Sequence, residues 1–268
     1  MLDTNLLKPL RCWGWIQERA ADTAYFAVST DKAADPVSMM GASKRILEQV
    51  MFSRERALMN AQRATSARFA NVAFSNGSLL ESFGRRLEKR QALACPRDTY
   101  RFFISLREAG QICLLAALCG PDRHIVIPRL RTDDACKLED VAAAFLRTRG
   151  LEPEIYDDEE AARSNVDGSL LRRRYPLLLT RLDTEGEKPS ETFVGRNETV
   201  IDFGMSSVEA VRSNAIDTSA LVDFVREIDR LVSDPQVVVD KNSIVQAVSH
   251  VLPEFHHLEA CRTLDARM

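Results

Sequence analysis

The sequence predicts an α/β fold, an open parallel sheet with helices crossing between its strands. Two observations carry that prediction. Over the first 77 residues, amphipathic helical patterns alternate with short dense apolar runs, in the order helix, strand, helix, strand that builds parallel sheets. The 268-residue chain, 45% apolar and 28% charged, is also long enough to bury a core without disulfide or metal staples.

Each element has its own signal. Leu2, Leu6, Leu7, Leu10, Trp13 and Ile16 recur at helical spacing, so a helix is expected over 2–20. Ala24-Tyr25-Phe26-Ala27-Val28 is a dense apolar run of the kind that strands covered on both faces use. Polar Ser29-Thr30-Asp31-Lys32 and a loop carrying Pro36 follow it. Met40, Ile46, Leu47, Val50 and Met51 predict a helix over 38–60, and residues 65–72 read as a second strand.

Past Gly77 the alternation loosens. A helix is expected over 78–90, with Arg85, Arg86, Lys89 and Arg90 as a solvated basic face. Further helices are expected at 108–118 and at 138–149, the latter closed by Gly150, with a short strand at 125–127 between them. Residues 157–175 are charged and turn-rich, and a surface connection is expected there. Beyond Ser206, helices are expected at 219–232 and 241–251.

Charge and composition exclude several classes. Lys and Arg number 36 against 39 Asp and Glu, so the basic excess of a general nucleic-acid binder is missing. The longest uninterrupted apolar run, 112–119, is far short of the ~20 residues a membrane helix needs. Met1-Leu2-Asp3-Thr4-Asn5 has neither the cationic region nor the apolar core of a secretory signal, so a cytoplasmic protein is expected. Cys12, Cys95, Cys113, Cys119, Cys136 and Cys261 include no C-x-x-C pair, and the four histidines are out of zinc-finger register with them. They are expected to be buried small hydrophobes, with no metal bound.

The most informative stretch runs from Val28 to Arg45. Polar residues cluster where a buried strand leaves the sheet, and open α/β sheets bind ligands at the carboxyl ends of their strands. Asp31 and Lys32 stand there side by side as a candidate acid and base. The local pattern also fits a polar strand end followed by a capped helix. Hydrolase, Walker A and H-E-x-x-H signatures are absent, and S-x-x-K at residues 29–32 lacks its companion motifs.

Ser29-Thr30-Asp31-Lys32-Ala33 with Pro36, followed by Met40-Gly41-Ala42-Ser43-Lys44-Arg45, resembles the extended short-chain dehydrogenases/reductases acting on nucleotide sugars. The match is to their polysaccharide-biosynthesis branch, typified by UDP-N-acetylglucosamine 4,6-dehydratases. Ala67-Arg68-Phe69-Ala70-Asn71-Val72 with Ser75-Asn76-Gly77-Ser78 is similar to that branch's R-F-x-N-V…GS segment. Tyr100 to Ala109 is similar to R-Y-F-x-T-x-x-E-A, and Asp183 to Lys188 to D-T-x-G-E-K. The ending, Pro253-Glu254-Phe255 and Leu264 to Met268, fits as well.

Two departures stand beside the resemblance. The G-x-G-x-x-G pyrophosphate loop of a dinucleotide fold is absent, since no two of the 11 glycines lie closer than Gly77 and Gly84. By the resemblance, the chain begins inside the helix before the fifth strand. A late gene start, a natural remnant or another chain supplying the missing half would each account for that. The Y-x-x-x-K pair is also missing: Met40 stands four before Lys44, and a thioether cannot do acid–base work at neutral pH.

The resemblance therefore implies an N-terminally truncated Rossmann-like parallel sheet with a smaller, mostly helical substrate-binding portion. The expected divisions are 1–77 for the cofactor-binding half-domain, 78–205 for the substrate portion and 206–268 for a helical extension. It implies NAD or NADP as cofactor and a UDP-sugar as substrate, with a second copy or a complementing chain as partner. It assigns catalysis to Thr30, Asp31, Lys32 and Lys44, and cofactor contacts to Ser29, Lys44 and Phe69. Asn71, Ser78, Arg101, Glu187 and Lys188 would hold substrate, the cations suiting phosphate oxygens. The other reading is a non-catalytic sugar-nucleotide-binding or interaction module.

Overall fold

The computed structural model describes residues 1–20, 23–55, 58–59, 61–182, 190–213, 217–234 and 240–257. A wide helical turn, Asp3–Leu7, runs into α1 (Lys8–Gln17), and β1 spans Ala24–Val28. After a tight turn at Asp31–Ala33 comes α2 (Met39–Phe52), capped by the Ser38 hydroxyl, which accepts from the Gly41 amide at 3.2 Å. Then follow β2 (Arg63–Ala67), β3 (Asn71–Val72), α3 (Leu79–Glu88), β4 (Leu93–Pro96), β5 (Tyr100–Arg101) and β6 (Phe103–Ile104). Next are α4 (Leu106–Leu118), β7 (His124–Pro128), β8 (Cys136–Lys137), α5 (Leu138–Thr148) and β9 (Glu152–Tyr156). The chain continues through α6 (Glu159–Ser164), α7 (Val166–Leu171), β10 (Arg174–Thr180), β11 (Thr199–Ile201), β12 (Val208–Arg212), α8 (Thr218–Ser233) and α9 (Lys241–Val251).

Two compact units result. Among the described residues, the larger takes those of 1–69, 110–129 and 192–257, and the smaller those of 70–109 and 130–191. In the larger, five strands run in the order β1-β2-β7-β12-β11. β1, β2 and β7 are parallel, with Val28 opposite Ala67 and Ala67 opposite Val126. β12 and β11 continue the sheet antiparallel. Leu6, Leu7, Trp13, Ile46, Val50, Phe224, Ile228 and Val251 close one core cluster, bringing α1, α2, α8 and α9 together. The Trp13 ring meets Tyr25 edge-on at 5.4 Å.

The smaller unit holds a three-stranded, wholly parallel sheet, β4-β10-β9, with Leu93 opposite Leu177 and Ile155 opposite Leu177 on the other side. Phe83, Leu93, Phe145, Leu146, Ala162, Tyr175 and Leu177 form its core.

Several expectations need correction. α2 stops at Phe52, because Ser53 is extended. The strand expected over 65–72 is two strands, parted where Arg68 turns its side chain into the protein. The surface connection at 157–175 is instead two short helices leading into β10: Ala162, Val166, Ser169 and Tyr175 are buried while the charged residues between them face out. Cys95 is buried and Cys113 half-buried, but Cys12, Cys119 and Cys136 are exposed, and Cys261 lies outside the described residues.

Candidate active site

In the larger unit the end of β1 is built from backbone bonds and one glycine. The Ser29 amide donates to Ala67 at 2.8 Å, carrying the parallel ladder one residue past the strand. The Thr30 hydroxyl accepts from the Lys32 amide and donates to Asp31 Oδ1 at 2.7 Å, fixing the turn at Asp31–Ala33. Against this turn lies the first turn of α2. A Cβ at Gly41 would stand 2.2 Å from the Lys32 carbonyl oxygen, so only glycine lets the two backbones meet.

This packing sets the functional groups. The Asp31 carboxylate is buried and stands 3.5 Å from Lys32 Nζ, whose side chain is 42% exposed. Lys44 reaches back along α2, and its Nζ donates to the Val28 carbonyl at 3.0 Å. Burial lowers the Lys44 ammonium below its ordinary value, and the nearby Glu48 only partly offsets that. Met40 is half-buried on the same helix. The strand end thus carries a carboxylate, a hydroxyl and two amines, enough for general acid and general base roles.

A buried ionic network underlies it, and sequence reasoning missed it. The Ser29 hydroxyl donates to Glu48 Oε1 at 2.6 Å. Arg68, with no exposed surface, donates to Glu48 at 2.9 and 2.6 Å, to Glu198 at 2.6 and 2.9 Å, and to the Phe193 carbonyl at 2.9 Å. Arg45 completes the group through Glu198, Glu48 and Glu254. Burial alone would raise the Glu198 carboxyl, but the Arg68 hydrogen bonds and the Arg68 and Arg45 charges hold it below the ordinary value. A usable signal was present: Arg45 and Glu48 sit three apart among Ile46, Leu47, Val50 and Met51, on a helix buried nearly all round.

The other expected residues divide between the units. Ser29 and half-buried Phe69 lie in the larger, and the Ser29 hydroxyl is committed to Glu48. Asn71, Ser78 and Arg101 lie in the smaller. Asn71 donates to Glu191 at 2.6 Å and to the Phe102 carbonyl, Ser78 caps α3, and Arg101 donates to the Tyr100 carbonyl at 2.8 Å. Glu187 and Lys188 lie outside the described residues. Among the described residues no helix is long and apolar enough to cross a membrane, and no group of three His, Cys, Asp or Glu could hold a metal.

For a dinucleotide the fit is partial. Half-buried Lys44, at the strand end, suits a ribose hydroxyl, while the 268 residues contain no glycine-rich pyrophosphate cradle.

A family model described as polysaccharide biosynthesis protein matches residues 16–200. The probable polysaccharide biosynthesis protein EpsC of Bacillus subtilis is 26% identical over 127 residues, 47% of this chain and 21% of that protein. The UDP-glucose 4-epimerase of Rickettsia canadensis is 32% identical over 104 residues, 38% of this chain and 30% of that enzyme. The chain thus spans less than a third of the length of either relative. The X-ray structure of Pen from Bacillus thuringiensis shares the fold, with a TM-score of 0.54 at 17% identity over 76% of this chain and 62% of that one.

Proposed function

The chain belongs to the polysaccharide biosynthesis protein family, and from that membership we propose a nucleotide-sugar dehydratase or epimerase, specifically a UDP-N-acetylglucosamine 4,6-dehydratase. The observation that carries the reading is the Asp31–Lys32 pair, 3.5 Å apart at the end of a parallel strand. Bound NAD would supply hydride acceptance and return. The chain's own residues would move protons. Lys32 takes the proton from C5 of the sugar, and Asp31 gives a proton to the hydroxyl leaving C6 as water. Lys32 returns its proton to C5 once C6 is reduced, and the proton that the C4 hydroxyl releases on oxidation replaces the one Asp31 gives to the departing water. Thr30, bonded to Asp31 Oδ1, orients the carboxyl, and Lys44 holds the nicotinamide ribose. Asn71, Ser78, Arg101, Glu187 and Lys188 are proposed to meet the nucleotide sugar.

The test is incubation of the chain with UDP-N-acetylglucosamine and NAD, followed by mass spectrometry for loss of one water. Asp31→Asn and Lys32→Met should each lower turnover by about 10²–10⁴-fold with substrate binding little changed. Near-normal turnover in both variants would refute the assignment. Met40, standing four before Lys44 where a Y-x-x-x-K tyrosine would be, favours a second reading, a sugar-nucleotide-binding module without turnover. Substrate binding by calorimetry with no product formed would establish that reading instead.

A further inference from the structure

Glu48 sits where two strand ends and one helix meet. Val28 stands opposite Ala67 in the parallel pairing of β1 with β2, so Ser29 and Arg68 are the first residues beyond the two strands. Both remain on the ladder: the Ser29 amide donates to Ala67 at 2.8 Å and the Arg68 amide to Val126 at 3.0 Å. Their side chains converge on one carboxylate. Glu48 Oε1 accepts from the Ser29 hydroxyl at 2.6 Å and from Arg68 Nε at 2.9 Å. Glu48 Oε2 accepts from a terminal nitrogen of Arg68 at 2.6 Å and from Arg45 at 3.4 Å.

Lys44 precedes Glu48 by one turn of α2, the spacing that puts two side chains on one face of a helix. Its Nζ donates to the Val28 carbonyl at 3.0 Å. One helix face therefore grips two successive residues of the strand end, Val28 through Lys44 and Ser29 through Glu48. Thr30, Asp31 and Lys32 follow directly on this grip.

An ion pair that served the fold alone would have no need of Ser29. A carboxylate has room for about four hydrogen bonds, and one of the four here goes to the hydroxyl that begins the polar strand end. Glu48 also bears on Lys44. Burial lowers the Lys44 ammonium, and the Glu48 charge opposes that fall. The other charged groups on elements packed against α2 are Asp3 in the wide first turn, Asp31 and Lys32 in the tight turn, and Arg63 and Arg68 on and beyond β2.

We propose that Glu48 is a positioning residue of the candidate active site, fixing the Ser29 end of β1 and setting a negative charge one turn from Lys44. This deepens, and rests on, the assignment of the strand end to catalysis made above. Glu48 is buried and acts through Ser29 and Lys44. With its carboxylate in place, Lys44 meets a ligand as a cation, and the turn that carries Asp31 and Lys32 starts from a fixed residue.

The test is NMR of the whole chain carrying lysine labelled with ¹³C at Cε, following Lys44 through a pH titration with neither NAD nor substrate present. The sequence holds only seven lysines, and Lys44→Arg assigns the signal. Glu48→Gln should weaken proton binding at Lys44 about tenfold, the effect of one nearby charge at a half-buried site. Arg68→Met disturbs the same network but keeps the Glu48 charge, so Lys44 should hold its proton as in the parent or more tightly. These opposite outcomes separate positioning from general loosening of the fold. Ser29→Ala should leave the Lys44 titration unchanged and speed hydrogen exchange of the amide at position 29, as Glu48→Gln also does. If Glu48→Gln fails to fold, the double variant Arg68→Met/Glu48→Gln, which loses one buried charge of each sign, should show the same weakening. A Lys44 titration unmoved by removal of the Glu48 charge, or lowered equally by Arg68→Met, would overturn the proposal and leave the dehydratase reading standing. Absence of water loss by the parent chain would refute that reading and leave the titration as it is.

Discussion

Arg68→Met is the most informative single perturbation of the larger unit. Methionine keeps an unbranched apolar side chain but removes the guanidinium, and with it five hydrogen bonds to Glu48, Glu198 and the Phe193 carbonyl. Glu48 and Glu198, each with a side chain 1% exposed, are then left with Arg45 as their cation. One buried negative charge goes uncompensated. Removing one member of a buried ion pair costs about 3–5 kcal/mol, a large share of the ~5–15 kcal/mol that holds a domain folded. Urea unfolding followed by circular dichroism reads the loss directly. Adding Glu48→Gln removes the excess charge, so the double variant should be less destabilised than the two single losses summed, by about 1–3 kcal/mol. The pH dependence follows from Glu198. Its carboxyl is held below the ordinary value of 4.5 in the folded protein, so its contribution is present above that pH and is lost as pH falls through the lowered value. Arg68→Met should flatten this acid limb. A loss below about 1 kcal/mol, or single losses that simply add, would refute the account of the network.

Other consequences are equally direct. Gly41→Ala forces a Cβ to 2.2 Å from the Lys32 carbonyl oxygen and should cost about 1–3 kcal/mol, whereas Gly84→Ala, facing open space on α3, should gain up to about 1 kcal/mol; thermal unfolding compares them. Burial, with a smaller push from Glu139, raises the Cys95 thiol to about 12, so Ellman's reagent should label exposed Cys12, Cys119 and Cys136 in the native protein and reach Cys95 only on unfolding. For the same reason the Cys95 contribution to stability is constant below pH 9.0 and declines as pH rises from there toward about 12, a slope that Cys95→Ala should remove in alkaline unfolding curves.

Local pattern alone determined the elements whose burial repeats regularly. The run at 24–28 reads as a strand because every residue is apolar, and β1 spans those residues. Helices at 138–149 and 241–251 were legible to within a residue of α5 and α9, since each shows one apolar stripe, and α5 has a glycine stop at Gly150, φ 74°. The placement of Ser29, Thr30, Asp31 and Lys32 at a strand end was legible too, because polarity changes abruptly after Val28. What no local pattern could supply was the partner of each charge. Arg45, Glu48, Arg68 and Glu198 read as ordinary polar residues until the parallel pairing of β1 with β2 and the packing of α2 bring them into one buried group. The parallel sheet of β4, β9 and β10 was hidden for a related reason: its strands are separated by up to some 80 residues, and Arg172-Arg173-Arg174 mask the start of β10. Pairing across such separations depends on which surfaces the whole chain buries together, and so only the tertiary structure decided that Arg86, Arg90 and Arg163 share one cleft.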